Sequence, residues 1–428
     1  MEDRSQQSFS GAAKAARRRA KLQNKHSRRR CLFRWLGFQD VQQTSSEHPT
    51  SLVVIQPTPF CNIDCTYCYL PERSNRAKLS EQDVVAIFER LLTFVKIGPS
   101  NALPIVWHAG EPLALGARYY ETIFAALETI RPSWLKFDHA FQTNGILIND
   151  EWCDLFKKWD VGVGVSIDGP KHIHDLARRT RAGAGTHEKV MQGVRRLQSN
   201  GVTFYVIAVL TRAALLEPDA IFDFFRECEI YDIGFNIEEI EGINKTSSLD
   251  ASRDEELLVN FYGRFAHLIT RHKYPLAVRE LDQAMEAIQF SSDEASPIND
   301  QTEPLSILTI DVKGNLYTFS PELAGYSAPG FSNLSIGNLL HSTTEDIVNS
   351  PVLARLAEEI GRGVEMCRSS CEYFRFCGGG APSNKIFENG TFASTETAYC
   401  RFTKKIPVDF VLRSVESKIL RSSAGDFA

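Results

Sequence analysis

Three cysteines near the start of the chain, Cys61, Cys65 and Cys68, stand in the segment PTPFCNIDCTYCYLP at CxxxCxxC spacing, with Tyr67 just ahead of the third. Three thiolates suit three irons of a [4Fe–4S] cluster and leave the fourth iron without a protein ligand. An open coordination position is what chemistry at a metal requires, whereas a structural site is closed. The competing reading is a zinc or structural iron–sulfur site, but no fourth cysteine lies nearby to close it. A second group follows far downstream: Cys367, Cys371 and Cys377 in CRSSCEYFRFCGGG, completed by Cys400. Four thiolates close a [4Fe–4S] cluster, and the same set is open to zinc. The other three of the ten cysteines, Cys31, Cys153 and Cys228, are isolated and read as packing residues.

The elements that must position these residues alternate. Apolar, β-branched runs at 52–55, 103–107, 139–143, 161–167, 204–210 and 233–237 are separated by amphipathic segments. Ser80 with Asp83 three residues on predicts the start of a helix running to Val95, and Asn200–Gly201 predicts the end of one begun at Glu188. Strands alternating with helices imply a parallel sheet, and six such units predict an α/β fold, a partial (β/α)6 barrel. Active sites of such barrels lie at the carboxyl ends of the strands. The cysteine loop follows the first run, HAGEP (108–112) the second, QTNG (142–145) the third, SIDGP (166–170) the fourth and EEIEG (238–242) the sixth.

Four regions are expected: a basic, disordered arm at 1–50, the barrel at 51–242, a helical linker region at 243–300, and a second unit at 301–428. That last unit opens with a β-hairpin turning at Lys313–Gly314 and ends in a closing helix. The arm holds eleven Lys/Arg and four Asp/Glu, a net of +7 that leaves −12 for the rest. Its composition reads as a solvated segment, the sharper alternative being a tether for an acidic peptide or nucleic acid. A net charge of −5 over 428 residues predicts no nucleic-acid partner. No apolar run approaches the roughly 20 residues of a membrane span, so no membrane partner is expected. Clustered cysteines without a secretory signal point to metal binding in a reducing, cytoplasmic setting.

The segment from Cys61 to Cys68, with Tyr67, resembles the CxxxCxΦC motif of the radical S-adenosylmethionine (SAM) superfamily. The resemblance implies that Cys61, Cys65 and Cys68 hold the cluster, that SAM chelates its open iron, and that SAM is cleaved to a 5′-deoxyadenosyl radical. It also implies that Ala109, Gly110, Glu111 and Pro112 stand for the family's GGEP motif at the SAM amino group, with Ala in place of the first Gly. Gln142, Asn144, Ser166, Asp168 and Arg178 fall where the family places groups around the SAM ribose and carboxylate. Arg forks and hydroxyls suit a carboxylate, and amide and carboxylate partners suit ribose hydroxyls. Arg179 and Arg181 are equally basic neighbours.

Residues 301–400 resemble the SPASM extension of radical SAM peptide maturases, which implies an iron–sulfur domain. Two places where a second auxiliary cluster takes cysteines hold Ser320 and Ala381, so one auxiliary [4Fe–4S] cluster is expected, ligated by Cys367, Cys371, Cys377 and Cys400. TFSPELAG (318–325) and CGGGAPSNKIFENGTFASTETAYCR (377–401), together with PTPFCNIDCTYCYLP and IGFNIEEIEG (233–242), resemble the GrrM-like maturases. That resemblance implies a glycine-rich-repeat precursor peptide as substrate, a three-residue cyclophane as product and an electron donor such as flavodoxin or ferredoxin. Glu238, Glu239, Glu241 and Glu322 are candidates for proton acceptance or peptide binding. The alternatives are formylglycine formation, as in anaerobic sulfatase maturases, and a non-catalytic iron–sulfur protein.

Overall fold

The structure, a computed structural model, describes residues 48–290 and 297–425, with side chains through 417. Cys31 and all but the last three residues of the basic arm lie outside the described residues.

Six strands pair in parallel in chain order: β1 (Leu52–Ile55), β2 (Ala102–Trp107), β3 (Lys136–Thr143), β4 (Gly162–Ser166), β5 (Tyr205–Leu210) and β6 (Asp232–Ile237). They match the six apolar runs of the sequence. Crossover helices cover them, including α1 (Glu81–Leu91), α2 (Ala117–Ile130), α3 (Asp150–Lys158), α4 (Lys171–Ala177), α5 (His187–Ser199) and α6 (Pro218–Glu227). Each helix has one apolar stripe: α1 buries Val84, Ile87, Phe88 and Leu91 at helical spacing. The expected capping box is present, since Asp83 N–H donates to Ser80 Oγ at 3.0 Å and Ser80 N–H to Asp83 Oδ2 at 3.3 Å. Helix α1 stops four residues short of the predicted Val95. Thr93 turns its hydroxyl back onto the Arg90 carbonyl at 2.7 Å, the local competition that ends helices at such residues. Helix α5 ends as expected, with Gly201 at φ +68°.

Residues 243–300 carry α7 (Glu255–His272), the two-residue strand β7 (Ala277–Val278), which pairs with β6, and α8 (Arg279–Phe290). The expected hairpin is β8 (Ile307–Ile310) and β9 (Asn315–Thr318), antiparallel about a turn that includes Lys313–Gly314. Its place in the sheet was not legible: β8 pairs in parallel with β1, Leu52 against Ile307 through Ile55 against Ile310. All four residues of β8 are buried, the pattern of an interior strand. With β10 (Gly337–Asn338) the sheet, among the described residues, has ten strands in the order β10-β9-β8-β1-β2-β3-β4-β5-β6-β7. Beyond it come α9 (Pro351–Ser370), α10 (Pro382–Asn389) and the closing helix α11 (Ile406–Gly425).

Candidate active site

Because β1 to β6 run the same way, their carboxyl ends share one rim, and the loops leaving it carry the residues singled out by the sequence. The cysteine loop is clamped by its own carbonyls. Arg73 donates to the Cys65 carbonyl at 3.1 Å and pairs with Asp64 at 2.8 Å. Arg181 donates to the Cys61 carbonyl at 3.0 Å and to that of Arg73. Main-chain bonds from Asp64 to Arg179 and from Thr66 to Ala177 tie the loop to the chain after α4. Burial first, and then the charge of Glu111, pushes the Cys61 thiol up to about 12; burial pushes Cys65 up to about 11 against the field of Arg178. Thiols held this way stay protonated unless a metal takes the proton's place. All three lie within one another's electrostatic reach, so the donor set fits a shared cluster. Among the described residues no three such donors converge as one metal ion would require. A cuboidal cluster binds each thiolate to its own iron and needs no such convergence.

Glu111 is buried and fully engaged. Its carboxylate accepts from Leu113 N–H at 3.0 Å, Thr143 Oγ1 at 2.7 Å and Asn144 N–H at 2.9 Å, joining the loops after β2 and β3. Burial still pushes it up to about 7. Ala109 and Gly110 ahead of it take φ of +65° and +125°. A Cβ at Gly110 would overlap the Thr58 carbonyl, so the backbone passes the cysteine loop at a distance only glycine allows. Asn144 donates to Asn62 at 2.6 Å and to the Cys61 sulfur at 3.8 Å. Gln142 donates to Ser166 Oγ at 3.0 Å, while its buried Oε1 has no partner.

Asp168 is the hub of a second buried network. It accepts from Tyr67 Oη at 2.5 Å, Arg178 Nη2 at 3.0 Å and Val209 N–H at 2.9 Å. Arg178 also lies 5.4 Å from the Tyr67 ring centroid, yet its Nε is buried without a partner. Of the three neighbouring arginines, Arg178 is the one that faces the site; Arg179 is turned outward onto Asp175, and Arg181 clamps the loop.

Three of the four candidate glutamates converge. Burial raises all three carboxyls; the charge of Glu322 pushes Glu239 up further, to about 7 against a hydrogen bond with Glu241, and the charges of Glu239 and Glu322 push Glu241 up in turn. Asn384 donates to Glu239 Oε2 at 2.8 Å, Ser383 bonds Glu241, and Ser320 bonds Glu322. The group abuts the cysteine loop: Ile243 N–H donates to the Tyr69 carbonyl at 3.1 Å. The buried Tyr69 hydroxyl has no partner and lies in the field of all three carboxylates. Glu238 is not among them; its carboxylate caps Ser248. In the second cysteine group, Cys367 is in the field of Cys371 and Cys377, and so is Cys400. This donor set, with Cys371 and Cys377 shared by both, fits a closed cluster.

The Radical SAM superfamily profile matches residues 55–237. An uncharacterized protein of Synechocystis sp. is 41% identical over 375 residues, covering 87% of this chain and 93% of the relative. The chain belongs to the radical SAM superfamily. A serine-type anaerobic sulfatase-maturating enzyme of Bacteroides thetaiotaomicron is 32% identical over 187 residues, 43% of this chain and 45% of that enzyme. Among solved structures, native anSMEcpe with bound AdoMet and Kp18Cys peptide aligns at TM-score 0.71 and 21% identity, covering 86% of this chain and 98% of that one. This likeness shows the shared fold. A radical SAM domain implies a [4Fe–4S] cluster and SAM as cofactors.

In this superfamily member, sequence reasoning missed the clamps Arg73 and Arg181, the anchor Thr143, and Tyr69. A guanidinium that binds carbonyls has no spacing signature. Tyr69 sits in plain view beside Cys68, but nothing in the sequence shows its hydroxyl facing carboxylates more than 150 residues away.

Proposed function

We propose that this chain is a peptide maturase that joins an aromatic ring to the β-carbon of a residue two positions away in a ribosomal precursor peptide. Cys61, Cys65 and Cys68 would hold the first cluster and Cys367, Cys371, Cys377 and Cys400 the auxiliary one. When bound, the first cluster and SAM supply a 5′-deoxyadenosyl radical. The main chain at Ala109–Gly110, Ser166, the free Gln142 Oε1 and the free Arg178 Nε would hold SAM, while Glu111 and Asp168 keep those groups in place. The protein must then hold the aromatic side chain beside the β-carbon and take the proton the ring sheds to recover aromaticity.

The observation that carries this reading is the buried group of Glu239, Glu241 and Glu322 beside Cys68. A carboxylate whose pKa is raised toward neutrality is matched to proton acceptance. Ser320, at a position where a further cluster ligand is expected in two-cluster relatives, holds Glu322 instead. Cys153 is buried in the core and Cys228 caps α6, so neither supplements the second group.

The test is anaerobic coexpression with a glycine-rich precursor, followed by tandem mass spectrometry. The expected product lacks two hydrogens per crosslink and resists fragmentation between the joined residues. Likeness to a serine-type sulfatase-maturating enzyme favours formylglycine formation as a second reading. Oxidising serine to formylglycine also removes two hydrogens, so mass alone does not separate the two. A hydrazide probe does: capture of an aldehyde in the peptide would sink the crosslinking assignment.

A further inference from the structure

The second cysteine group does not sit among neutral side chains. Lys385, on α10, is 4% exposed. Its Nζ donates to the Gly363 carbonyl at 3.0 Å and to the Cys367 sulfur at 3.4 Å. Among the described residues it makes no ion pair with a carboxylate. A buried ammonium costs several kcal/mol unless an anion faces it, and the sulfur it touches becomes that anion once it is a metal ligand. The backbone is shaped for the approach. Gly378, Gly379 and Gly380 all take positive φ, turning the chain between Cys377 and α10. A Cβ at Gly363 would come within 3.2 Å of the Lys385 Nζ. Two further lysines lie near: burial pushes Lys404 down against the fields of Cys377 and Cys400, and Lys405, paired with Glu396, lies in the field of Cys371 and Cys400.

We propose that Lys385 is a positioning residue for the auxiliary cluster: its ammonium, bonded to the Cys367 sulfur, raises the cluster's reduction midpoint and makes it an easier electron acceptor. The inference rests on the reading that Cys367, Cys371, Cys377 and Cys400 hold a [4Fe–4S] cluster. Reduction adds one negative charge to the cluster, so a fixed positive charge at a ligand sulfur stabilises the reduced form more than the oxidised one. Burial keeps salt from screening it. An electron released from a peptide being oxidised needs such an acceptor. Lys385 would supply that poise without touching substrate.

The experiment uses the full chain with Cys61, Cys65 and Cys68 all changed to Ala, so that the second group alone can take up a cluster. After anaerobic reconstitution with iron and sulfide, iron is counted and the midpoint measured by a redox titration followed by electron paramagnetic resonance at one fixed pH. About four irons per chain are expected. Lys385→Met lowers the reduced-to-oxidised ratio at a fixed poise by about tenfold or more, a midpoint drop of at least about 59 mV for a one-electron couple. Lys385→Arg, which keeps the charge and a donor, stays near the parent. Lys385→Gln keeps a neutral donor and follows Met, which separates charge from hydrogen bonding. Loss of iron in both neutral variants but not in Lys385→Arg also supports a need for the charge. An unmoved midpoint in Lys385→Met with iron retained overturns the proposal alone, and so does loss of iron in all three variants. A parent chain that binds no iron at this group overturns the proposal together with the reading beneath it.

Discussion

The two cysteine groups are held by opposite means. At Cys61, Cys65 and Cys68 the positive side chains make their bonds elsewhere than to sulfur: Arg73 and Arg181 bind the loop's carbonyls, and Arg178, whose field reaches Cys65, is paired with Asp168. The nearest side-chain donor to a thiol there is the neutral amide of Asn144. At the second group a buried lysine touches a sulfur directly. The first arrangement fixes the loop's backbone through its carbonyls and, on the proposed reading, would leave the thiol side for a cluster and SAM. The second places the Lys385 side chain against one of four cysteines that, as proposed, would close a cluster. On the proposed reading, the first group is where a ligand would enter and the second where only charge would change. Helix α10 links the second group to the carboxylates: Ser383 and Asn384 face Glu241 and Glu239, and Lys385 faces Cys367.

Single-cysteine variants break the comparison most sharply. Cys61→Ala is expected to abolish 5′-deoxyadenosine formation, whereas Cys371→Ala leaves it measurable and stops peptide modification. Iron falls from about eight per chain toward about four in each case. Equal loss of SAM cleavage in both variants would erase the distinction between an open and a closed group.

Asp168→Asn tests the clamp of the first group by leaving Arg178 buried without its counter-charge. We expect a loss of about 3–5 kcal/mol, read from denaturant unfolding of the apo chain. Retention of stability within about 1 kcal/mol would mean that water already reaches the pair.

The carboxylates predict a pH dependence. Burial holds Glu239 up to about 7 against an unfolded value of 4.5. A carboxyl raised in this way favours the fold below 4.5, and that advantage is lost as the pH rises through 7. Stability of the apo chain should therefore drop by on the order of 2–3 kcal/mol from about pH 5 to about pH 8. In Glu239→Gln/Glu241→Gln the thermal midpoint should be flatter over that range. Peptide modification in the parent should rise over the same interval as the group becomes able to accept a proton.

The smallest effect concerns Ala109, whose φ of +65° strains a residue with a Cβ. Ala109→Gly should change stability by no more than about 1 kcal/mol, in the stabilising direction, and leave SAM binding intact. A fall in SAM affinity by calorimetry would assign the methyl group a contact in the site.

The chemistry was legible wherever it is carried by residues close in sequence. Three thiols within eight positions stand out as candidates, and so do GEP after a strand and the cysteines around a glycine run, because spacing along a short loop largely fixes spacing in space. The strands were legible for a similar reason: β-branched runs bounded by polar turns leave the backbone few ways to bury them. Glu238, Glu239 and Glu241 could not be told apart in the sequence, since successive residues in a loop point in different directions and only the folded chain decides which ones meet Glu322.

What the sequence determined by itself is the parallel α/β frame and the two sets of thiols, both written in local pattern. The tertiary structure alone decided that β8 would lie beside β1, that Arg178 rather than its neighbours would be buried, and that Lys385 would reach a sulfur 18 residues before it. Those outcomes depend on which surfaces are left to be buried once the sheet has formed, and no single segment of chain holds that information.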